Sequence, residues 1–234
     1  LSKKTDTVLV GFEDAKKRLP KAKNVVVTGT PTKVNKIDLT EEQKQTIKKQ
    51  FKINNNLPVV TVFGGSQGAE SINKCFIDII NNKLNSDYQI IWAVGQKKYE
   101  EVRNSIKELY NAAVVPYIYN MEEVLNLADL VVSRSGAMTI TEVAKCGKPA
   151  IFIPYPYATE NHQEYNARVL ANVDAARIVL DKELSSEKLN NEIKNIITDK
   201  QKQVQMAKNA EKIAIKDVNE KIYKEIEKLI KKST

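Results

Sequence analysis

Two glycine-containing turns carry most of the chemistry that this sequence could perform. The first lies in residues 58–71, PVVTVFGGSQGAES, and the second in residues 129–142, DLVVSRSGAMTITE. In each, an apolar run leads into Gly and Ser and then into a helical pattern, so backbone N–H groups collect at the end of a strand. Such an end binds anions. Two of them on one sheet predict a ligand that carries a diphosphate with groups at both ends.

The first turn has the sequence Gly-Gly-Ser-Gln-Gly at 64–68. Its glycines remove Cβ atoms where the backbone must turn sharply or touch a ligand, which makes Ser66 and Gln67 candidate ligand contacts. The spacing is neither GxGxxG nor the Walker pattern, so it does not indicate NAD or ATP. A tight strand-to-helix turn without a ligand is the alternative.

The second turn has Ser133 to Thr139 before and at the start of a helix. If the helix begins at or just after Ser135, the amides near Met138 and Thr139 are free to bind a diphosphate. The helix-end field would contribute about 0.3 to 1 kcal/mol, and each charge-assisted hydrogen bond about 1.5 to 3 kcal/mol. Glu142 follows about one turn later, where a carboxylate accepts hydrogen bonds from ribose hydroxyls. An ordinary surface position for Glu142 is the alternative.

A third polar cluster, PYPYATENHQEYN at 154–166, leaves the end of another apolar run and opens a helix. Its amides and its imidazole, His162, suit sugar hydroxyls, although helix capping by Thr159 or Asn161 explains part of the cluster without a ligand. His162 is the only histidine, which excludes a histidine-rich metal site within the chain. No Asp-x-Asp occurs, so the sequence predicts no metal bound by carboxylates and no cofactor; helix amides would neutralise a diphosphate.

The elements that position these residues alternate along the chain. Short continuous apolar runs are typical of strands buried on both faces, and helical patterns separate them. The class is therefore α/β, with a doubly wound parallel sheet flanked by helices. The predicted strands are 25–27, 59–63, 90–94, 114–115, 130–132, 151–153 and 178–180, and the predicted helices are 69–83, 97–110, 121–127, 136–146, 163–172 and 187–197.

The two ends of the chain do not follow the alternation of strands and helices. Residues 1–29 contain a strand near 8–12, a short helix at 13–19 and a strand at 25–28, too little to enclose a core. They are either the tail of a preceding domain or a unit packed on the edge of the main sheet, with a linker near 29–33. Residues 30–200 form the predicted ligand-binding domain. Residues 201–234 predict one amphipathic closing helix, with a membrane-surface helix as the alternative.

Composition narrows the class of partner. The chain has 234 residues, 42% of them hydrophobic, and a net charge of +8 that comes mostly from Lys. Most of the positive residues are Lys, with few Arg and without aromatic residues placed between them, which disfavours a nucleic-acid partner. The pattern favours a solvated surface, an anionic ligand or an anionic membrane surface. No apolar run could span a bilayer, and we expect a cytoplasmic protein with Cys75 and Cys146 as reduced core residues.

Three motifs, GGSQGA at 64–69, SRSGAMTITE at 133–142 and ATENHQEYNA at 158–167, resemble the MurG family of glycosyltransferases. They occur in the family's order, and the similarity runs from about residue 28 to the C-terminus. The resemblance implies the GT-B fold, two Rossmann-like domains with a cleft between them. This chain looks like the C-terminal, donor-binding domain with a remnant of the N-terminal acceptor domain at 1–29.

The resemblance also implies roles for individual residues. The diphosphate or the neighbouring ribose would contact Ser66, Gln67, Met138 and Thr139. Glu142 would hold the ribose hydroxyls, and uracil would lie near the backbone of Ile118 and the side chain of Lys33. N-acetylglucosamine would contact Gln163, with His162 beside it, and Arg134 belongs to the same set of substrate-binding residues. Lys33 stands where the family often has Arg, so its contact would be a point charge.

The implied reaction is transfer of N-acetylglucosamine from UDP-N-acetylglucosamine to undecaprenyl-diphospho-muramoylpeptide, with inversion, in peptidoglycan synthesis. The family's candidate base lies in the other domain, so this chain would hold no catalytic residue and would be inactive alone. The enzyme would lie on the inner face of the bacterial membrane. Alternatives are another GT-B enzyme such as a UDP-sugar epimerase, or a non-catalytic nucleotide-sugar-binding subunit with a separately encoded partner.

Overall fold

The computed structural model describes residues 3–53 and 56–233, with the side chains of 232 and 233 left undescribed. Within them, eight strands form two parallel sheets. β1 and β2 make a small sheet, and the other six make the main one. The strands are β1 (Val8–Val10), β2 (Val25–Val27), β3 (Val59–Phe63), β4 (Gln89–Ala93), β5 (Ala112–Val115), β6 (Leu130–Ser133), β7 (Ala150–Phe152) and β8 (Ala176–Ile178).

The main sheet has the order β5-β4-β3-β6-β7-β8, and all neighbours pair in parallel. The chain first builds outward from β3 to β5 and then returns to the other side of β3 with β6. The strand order therefore reverses between β3 and β6, which is where open α/β sheets bind ligands. The two glycine-containing turns follow these two strands.

Helices cover both faces of the main sheet, because the strand side chains alternate between two apolar cores. The helices are α1 (Glu41–Gln50), α2 (Glu70–Asn81), α3 (Tyr99–Ser105), α4 (Met121–Leu127), α5 (Ala137–Lys145), α6 (His162–Ala171), α7 (Ser186–Ile197), α8 (Lys200–Ile213) and α9 (Val218–Ser233). One core contains buried residues of α1, α4, α5 and α6, and the other contains those of α2, α3 and α7; α8 contributes to both.

The doubly wound parallel sheet confirms the predicted fold class, and every predicted strand is present with ends that differ by a few residues. Helix α1 was missed. Its N-terminus carries a capping box, in which Thr40 Oγ1 accepts from the Gln43 N–H and Gln43 Oε1 accepts from the Thr40 N–H. The spacing Thr-x-x-Gln is visible in the sequence and could have located this helix.

The N-terminal unit is separate from the main sheet. β1 and β2 pair with each other, in register from Val8 opposite Val25, and no other strand joins them in the described part of the chain. The described residues of this unit therefore add no strand to the main sheet, and the assignment of residues 1–29 to a preceding domain stays a prediction. The unit contacts the rest of the protein through partly buried Phe12 and through Arg18, whose guanidinium lies 4.7 Å from the centre of the Tyr165 ring.

The C-terminal stretch forms two helices, α8 and α9, rather than the single helix predicted over 201–234. The break lies at residues 214–217, where Asp217 adopts a left-handed φ of 56°. A Cβ placed on Gly29 would lie 3.1 Å from Ile215 and 2.7 Å from Val218, so the linker packs tightly against the break. Residues 214–217 contain no Gly or Pro, so the sequence gives no local signal for the break.

Candidate functional site

A cavity of about 700 Å³ opens at the carboxyl ends of β3, β6 and β7, beside the point where the strand order reverses. This volume falls within the range of small-molecule sites, about 300 to 1,000 Å³. Its walls come from both glycine-containing turns, from the segment after β7 and from Asp181 after β8. The lining residues used below are Gly64, Gly65, Gly68, Ser71, Arg134, Gly136, Thr139, Tyr155, Tyr157, Gln163 and Asp181.

The first turn is shaped by missing side chains. Gly65 and Gly68 have φ of 85° and 76°, in the left-handed region, and the Gly68 N–H donates to the Gly65 carbonyl at 3.0 Å. A Cβ on Gly68 would collide with the Val94 carbonyl oxygen, whereas a Cβ on Gly65 would meet nothing within 4 Å. Gly68 is thus required by packing, and Gly65 presents bare backbone to open space. Ser66 and Gln67 lie exposed between them.

Helix α2 leaves this turn without a side-chain cap. Its first intrahelical bond runs from the Asn73 N–H to the Ala69 carbonyl, so the N–H groups of residues 70–72 precede the hydrogen-bonded ladder. They lie at the wall of the cavity that Glu70 and Ser71 help to line. The arrangement is suited to an anion.

The second turn also leaves a helix without a side-chain cap. Gly136 is the N-cap of α5, and the Ile140 N–H makes the first intrahelical bond, to the Gly136 carbonyl. The N–H groups of Ala137, Met138 and Thr139 therefore precede the ladder, as the sequence predicted. Thr139 lines the cavity, and Met138 is 45% exposed beside it. Of the predicted diphosphate contacts, Thr139 therefore lines the cavity, whereas Ser66, Gln67 and Met138 do not.

Arg134 lies at the wall of the cavity, and protein groups engage its guanidinium. One terminal nitrogen donates to the carbonyls of Ile153 and Pro154 at 3.0 and 3.1 Å and to Asp181 Oδ1 at 2.6 Å. The other donates to Ser71 Oγ at 2.9 Å. The side chain is only 11% exposed. This geometry favours a residue that joins the cavity walls, and a direct ligand contact stays a prediction.

The turn before α6 places Gln163 against both neighbouring walls. Its side-chain Oε1 accepts from the Tyr155 N–H at 3.0 Å, and its backbone carbonyl accepts from Ser135 Oγ at 2.7 Å. Glu160 and Asn161, just before the helix, both have φ of 52°, a strained conformation for residues other than glycine. Gln163 lines the cavity, and a side-chain amide nitrogen can donate to a hydroxyl.

His162 is exposed, and its Nδ1 lies 2.9 Å from the Thr159 carbonyl oxygen. It does not line the cavity, unlike its neighbour Gln163. The two aromatic side chains that do, Tyr155 and Tyr157, pack edge to face at 5.7 Å between ring centres, and Tyr157 is 83% exposed. Such rings offer an apolar surface to a sugar.

Glu142 lies on α5, about one and a half turns from its start, and points toward the linker rather than lining the cavity. Its Oε1 accepts a hydrogen bond from Thr32 Oγ1 at 2.9 Å. Burial raises the pKa of this carboxyl above its ordinary value, and the Thr32 hydrogen bond opposes that effect. A half-buried carboxylate with a single hydroxyl partner retains acceptor capacity for further donors.

The two residues predicted near uracil lie on segments that touch. Lys33 is exposed on the linker, and the Ile118 side chain is buried in the core that includes α4. Two residues beyond Lys33, the Asn35 N–H and Nδ2 donate to Glu122 Oε1 at 2.7 and 3.0 Å. Because α4 follows Ile118 directly, this contact brings the linker beside the predicted uracil-binding backbone, which stays a prediction.

Sequence reasoning missed Asp181, Ser71 and Thr32. Asp181 belongs to a single turn after β8 and joins Arg134 and Ser71 from 47 and 110 residues away. No spacing in the sequence signals such contacts; only its position after a strand could have made Asp181 a candidate. Within residues 3–53 and 56–233, no group of three or more His, Cys, Asp or Glu could hold a metal ion, and no helix could cross a membrane.

Comparison with known proteins assigns the family. Residues 59–222 match the glycosyltransferase family 28 C-terminal domain. The chain belongs to this family. The match begins at β3 and includes all six strands of the main sheet, both glycine-containing turns and the segment around Gln163, so the cavity lies wholly inside it.

Two relatives of this family 28 domain carry the name UDP-N-acetylglucosamine–N-acetylmuramyl-(pentapeptide) pyrophosphoryl-undecaprenol N-acetylglucosamine transferase. The one from Desulforamulus reducens is 41% identical across 98% of the chain, and the one from Acetivibrio thermocellus is 38% identical across 99%. The chain spans 63% of the length of each.

Solved structures agree with the family. The chain resembles Acinetobacter baumannii MurG with a TM-score of 0.74 and 26% identity, over 96% of this chain and 61% of that one. It also resembles WaaG, a glycosyltransferase of lipopolysaccharide biosynthesis, with a TM-score of 0.60 and 14% identity, over 90% of this chain and 59% of that one. The second likeness concerns the fold alone. The sheet is that of a Rossmann-like C-terminal GT-B domain.

Proposed function

We propose that these 234 residues are the donor-binding part of a glycosyltransferase that moves N-acetylglucosamine from UDP-N-acetylglucosamine to undecaprenyl-diphospho-muramoylpeptide. One observation carries the proposal. Within a family 28 domain, two helices without side-chain caps begin at one cavity, at the carboxyl ends of adjacent strands. This geometry suits the diphosphate of a nucleotide sugar.

The proposed donor pose begins in the cavity, which Thr139 and Gln163 line, and extends beyond it toward Glu142. The diphosphate lies at the starts of α2 and α5, near Ser66, Gln67, Met138 and Thr139. The ribose extends toward Glu142, and uracil toward the backbone of Ile118 with Lys33 nearby. These assignments are supported by the order of the groups along the edge of the sheet, since Glu142 faces the linker and the linker contacts α4.

The sugar would extend toward Gln163, on the other side of the diphosphate. Its amide would hold a sugar hydroxyl, with His162 beside it and the Tyr155 and Tyr157 rings forming an apolar wall. As the acceptor hydroxyl attacks the anomeric carbon with inversion, negative charge develops on UDP. The two helix starts would stabilise that charge without a divalent metal, because their dipoles are oriented before the reaction begins.

The part of the relatives' length that this chain does not match would hold the acceptor and the general base. On this proposal the 234 residues bind the donor and do not turn it over alone. The enzyme would act at the inner face of the cytoplasmic membrane, where a lipid-linked acceptor is reached. The excess of Lys over acidic residues supports contact with an anionic surface.

Calorimetric titration of this chain with a panel of nucleotide sugars tests the proposal. We expect micromolar binding of UDP and UDP-N-acetylglucosamine in the presence of a chelator, and weaker binding of UDP-glucose, which lacks the N-acetyl group. NAD is the negative control. Binding of NAD with no heat from UDP or any UDP-sugar would reject the proposal.

A matched pair of variants separates the two ends of the donor. Glu142→Ala should weaken UDP and UDP-N-acetylglucosamine alike, whereas Gln163→Ala should weaken the nucleotide sugar and leave UDP almost unchanged. Circular dichroism and the thermal midpoint check that both variants fold. Unchanged UDP affinity in folded Glu142→Ala would remove the ribose role, and equal losses for both ligands in Gln163→Ala would remove the sugar role.

A further inference from the structure

The linker before the sheet domain makes one side-chain contact with a residue of the proposed donor site. Thr32 Oγ1 donates to Glu142 Oε1 at 2.9 Å, across 110 residues of sequence. Thr32 is not among the residues that the motifs select. The contact ties the linker to the carboxylate proposed to bind ribose.

The direction of the Thr32 hydroxyl is set by its own turn. The Val34 N–H donates to Thr32 Oγ1 at 3.1 Å. A hydroxyl has one hydrogen to donate and two acceptor positions, so a bond accepted from Val34 leaves the hydrogen free to point at Glu142. The geometry is therefore preset within the linker.

The linker is itself held against the sheet domain. The Ile37 N–H donates to Asn126 Oδ1 at 3.0 Å, and Asn126 Nδ2 donates back to the Asn35 carbonyl at 2.8 Å. Asn35 also bonds Glu122 on the same helix, as described above. Thr32 consequently approaches Glu142 from a backbone that has few alternative positions.

Glu142 needs a partner of this kind because it is half-buried. Burial raises the pKa of its carboxyl, and the Thr32 hydrogen bond favours the ionised form. A carboxylate has about four acceptor positions, of which Thr32 uses one. Among residues 3–53 and 56–233, no other hydrogen bond to this carboxylate is seen, so the remaining positions, including those of Oε2, stay available to ribose hydroxyls.

We propose that Thr32 is a positioning residue for nucleotide binding, which fixes the rotation of the Glu142 carboxylate so that its other acceptor positions face the ribose. The inference rests on the proposed function of the cavity. It places the linker, outside the matched family domain, in control of the nucleoside end of the donor site.

Binding of UDP and of 2′,3′-dideoxy-UDP, which lacks both ribose hydroxyls, tests this role by calorimetry on the whole chain. Thr32→Val should bind UDP about tenfold more weakly than the wild type, the lower end of the loss expected for one hydrogen bond to a charged group. Both proteins should bind the dideoxy compound equally. Thr32→Ser, which keeps the hydroxyl, should restore UDP binding.

Thr141→Val is the matched control. Thr141 adjoins Glu142 on α5, but its hydroxyl donates within the helix to the Ala137 carbonyl at 2.9 Å. The same loss of a hydroxyl there should leave UDP affinity unchanged.

Equal affinity of Thr32→Val and the wild type for UDP would overturn the positioning role. An equal loss for UDP and dideoxy-UDP would also overturn it, since the effect would then be structural. Glu142→Ala distinguishes this failure from failure of the proposed function. If Glu142→Ala weakens UDP while Thr32→Val does not, only the role of Thr32 is wrong; if the wild type binds no UDP, the donor site itself is wrong.

Discussion

The two turns at the cavity reach the same result by different physical means. After β3, the path is set by glycines: a left-handed Gly68 fits against the Val94 carbonyl, where no Cβ could be placed. After β6, the path is set by side chains: Arg134 and Ser135 bond groups of four other segments. One turn depends on atoms that are absent and the other on hydrogen bonds that are present.

The difference shows two ways in which a folded protein can hold a helix N-terminus that has no side-chain cap. Thr40, Ser185 and Asp199 cap α1, α7 and α8 with their side chains, whereas α3, α4 and α6 have no side-chain cap. At the cavity, α2 and α5 have no such cap, so other groups must hold the turns. Each turn should therefore fail in its own way when substituted.

Gly68→Ala should have the largest effect. The new Cβ would collide with the Val94 backbone oxygen, and alanine would also occupy a left-handed φ, so we expect a loss of about 4 kcal/mol in the free energy of unfolding. Urea denaturation measures it. Gly65→Ala is the control, because its Cβ meets open space and only φ strain of about 1 kcal/mol applies. Equal losses in the two variants would contradict steric control of the first turn.

Arg134→Met should have the second-largest effect, a loss of about 3 kcal/mol in the free energy of unfolding. Methionine fills similar volume but removes the donor to two carbonyls and the cation beside Asp181, which keeps only its hydrogen bond from Ser71 in a largely buried position. Chemical denaturation of Arg134→Met, Asp181→Asn and the double variant measures the coupling. The double variant should lose less than the sum of the singles. Additive losses would show that Arg134 does not join the cavity walls through Asp181.

Ser135→Ala should cost about 1 kcal/mol of stability, the usual value for one hydrogen bond. Ser135 is buried, and its Oγ donates to the carbonyl of Gln163 at 2.7 Å. Because that bond sets the start of α6, the variant should also weaken UDP-N-acetylglucosamine more than UDP. Thermal unfolding and calorimetry check the two effects. An equal loss for both ligands would place Ser135 outside the sugar end of the site.

The smallest effect concerns Glu70 on α2 and Glu142 on α5, whose pKa values are shifted in opposite directions. An ion pair with Lys74, at 2.8 Å, lowers the pKa of exposed Glu70 on α2, whereas burial raises the pKa of Glu142 on α5. A raised folded-state pKa means that stability is present at low pH and is lost as pH rises through that value.

Glu142→Gln should therefore be slightly more stable than the wild type at pH 7, and the difference should vanish below the ordinary carboxyl pKa of 4.5. Glu70→Gln, on the exposed side chain, should change stability little at any pH. Urea denaturation between pH 4 and pH 8 compares them. A wild type more stable than Glu142→Gln at pH 7 would contradict burial as the dominant cause of the pKa shift.

The six strands of the main sheet and the starts of α2 and α5 could be predicted because their signals are local. An apolar run buried on both faces and a glycine next to a helical pattern both lie within about 15 residues. The engagement of Arg134 could not be predicted, since its partners Ser71 and Asp181 come from both sides along the chain. The same applies to the break between α8 and α9, which packs on Gly29.

The sequence by itself determined that two turns end buried strands and open helices with free N–H groups, because backbone conformation and hydrophobic period act between near neighbours. Tertiary structure alone decided that β3 and β6 lie side by side, so that the two turns face one cavity. It also decided which polar groups hold them. Contacts between residues far apart depend on the order of strands in the sheet, and that order follows from how both faces are covered rather than from any local spacing.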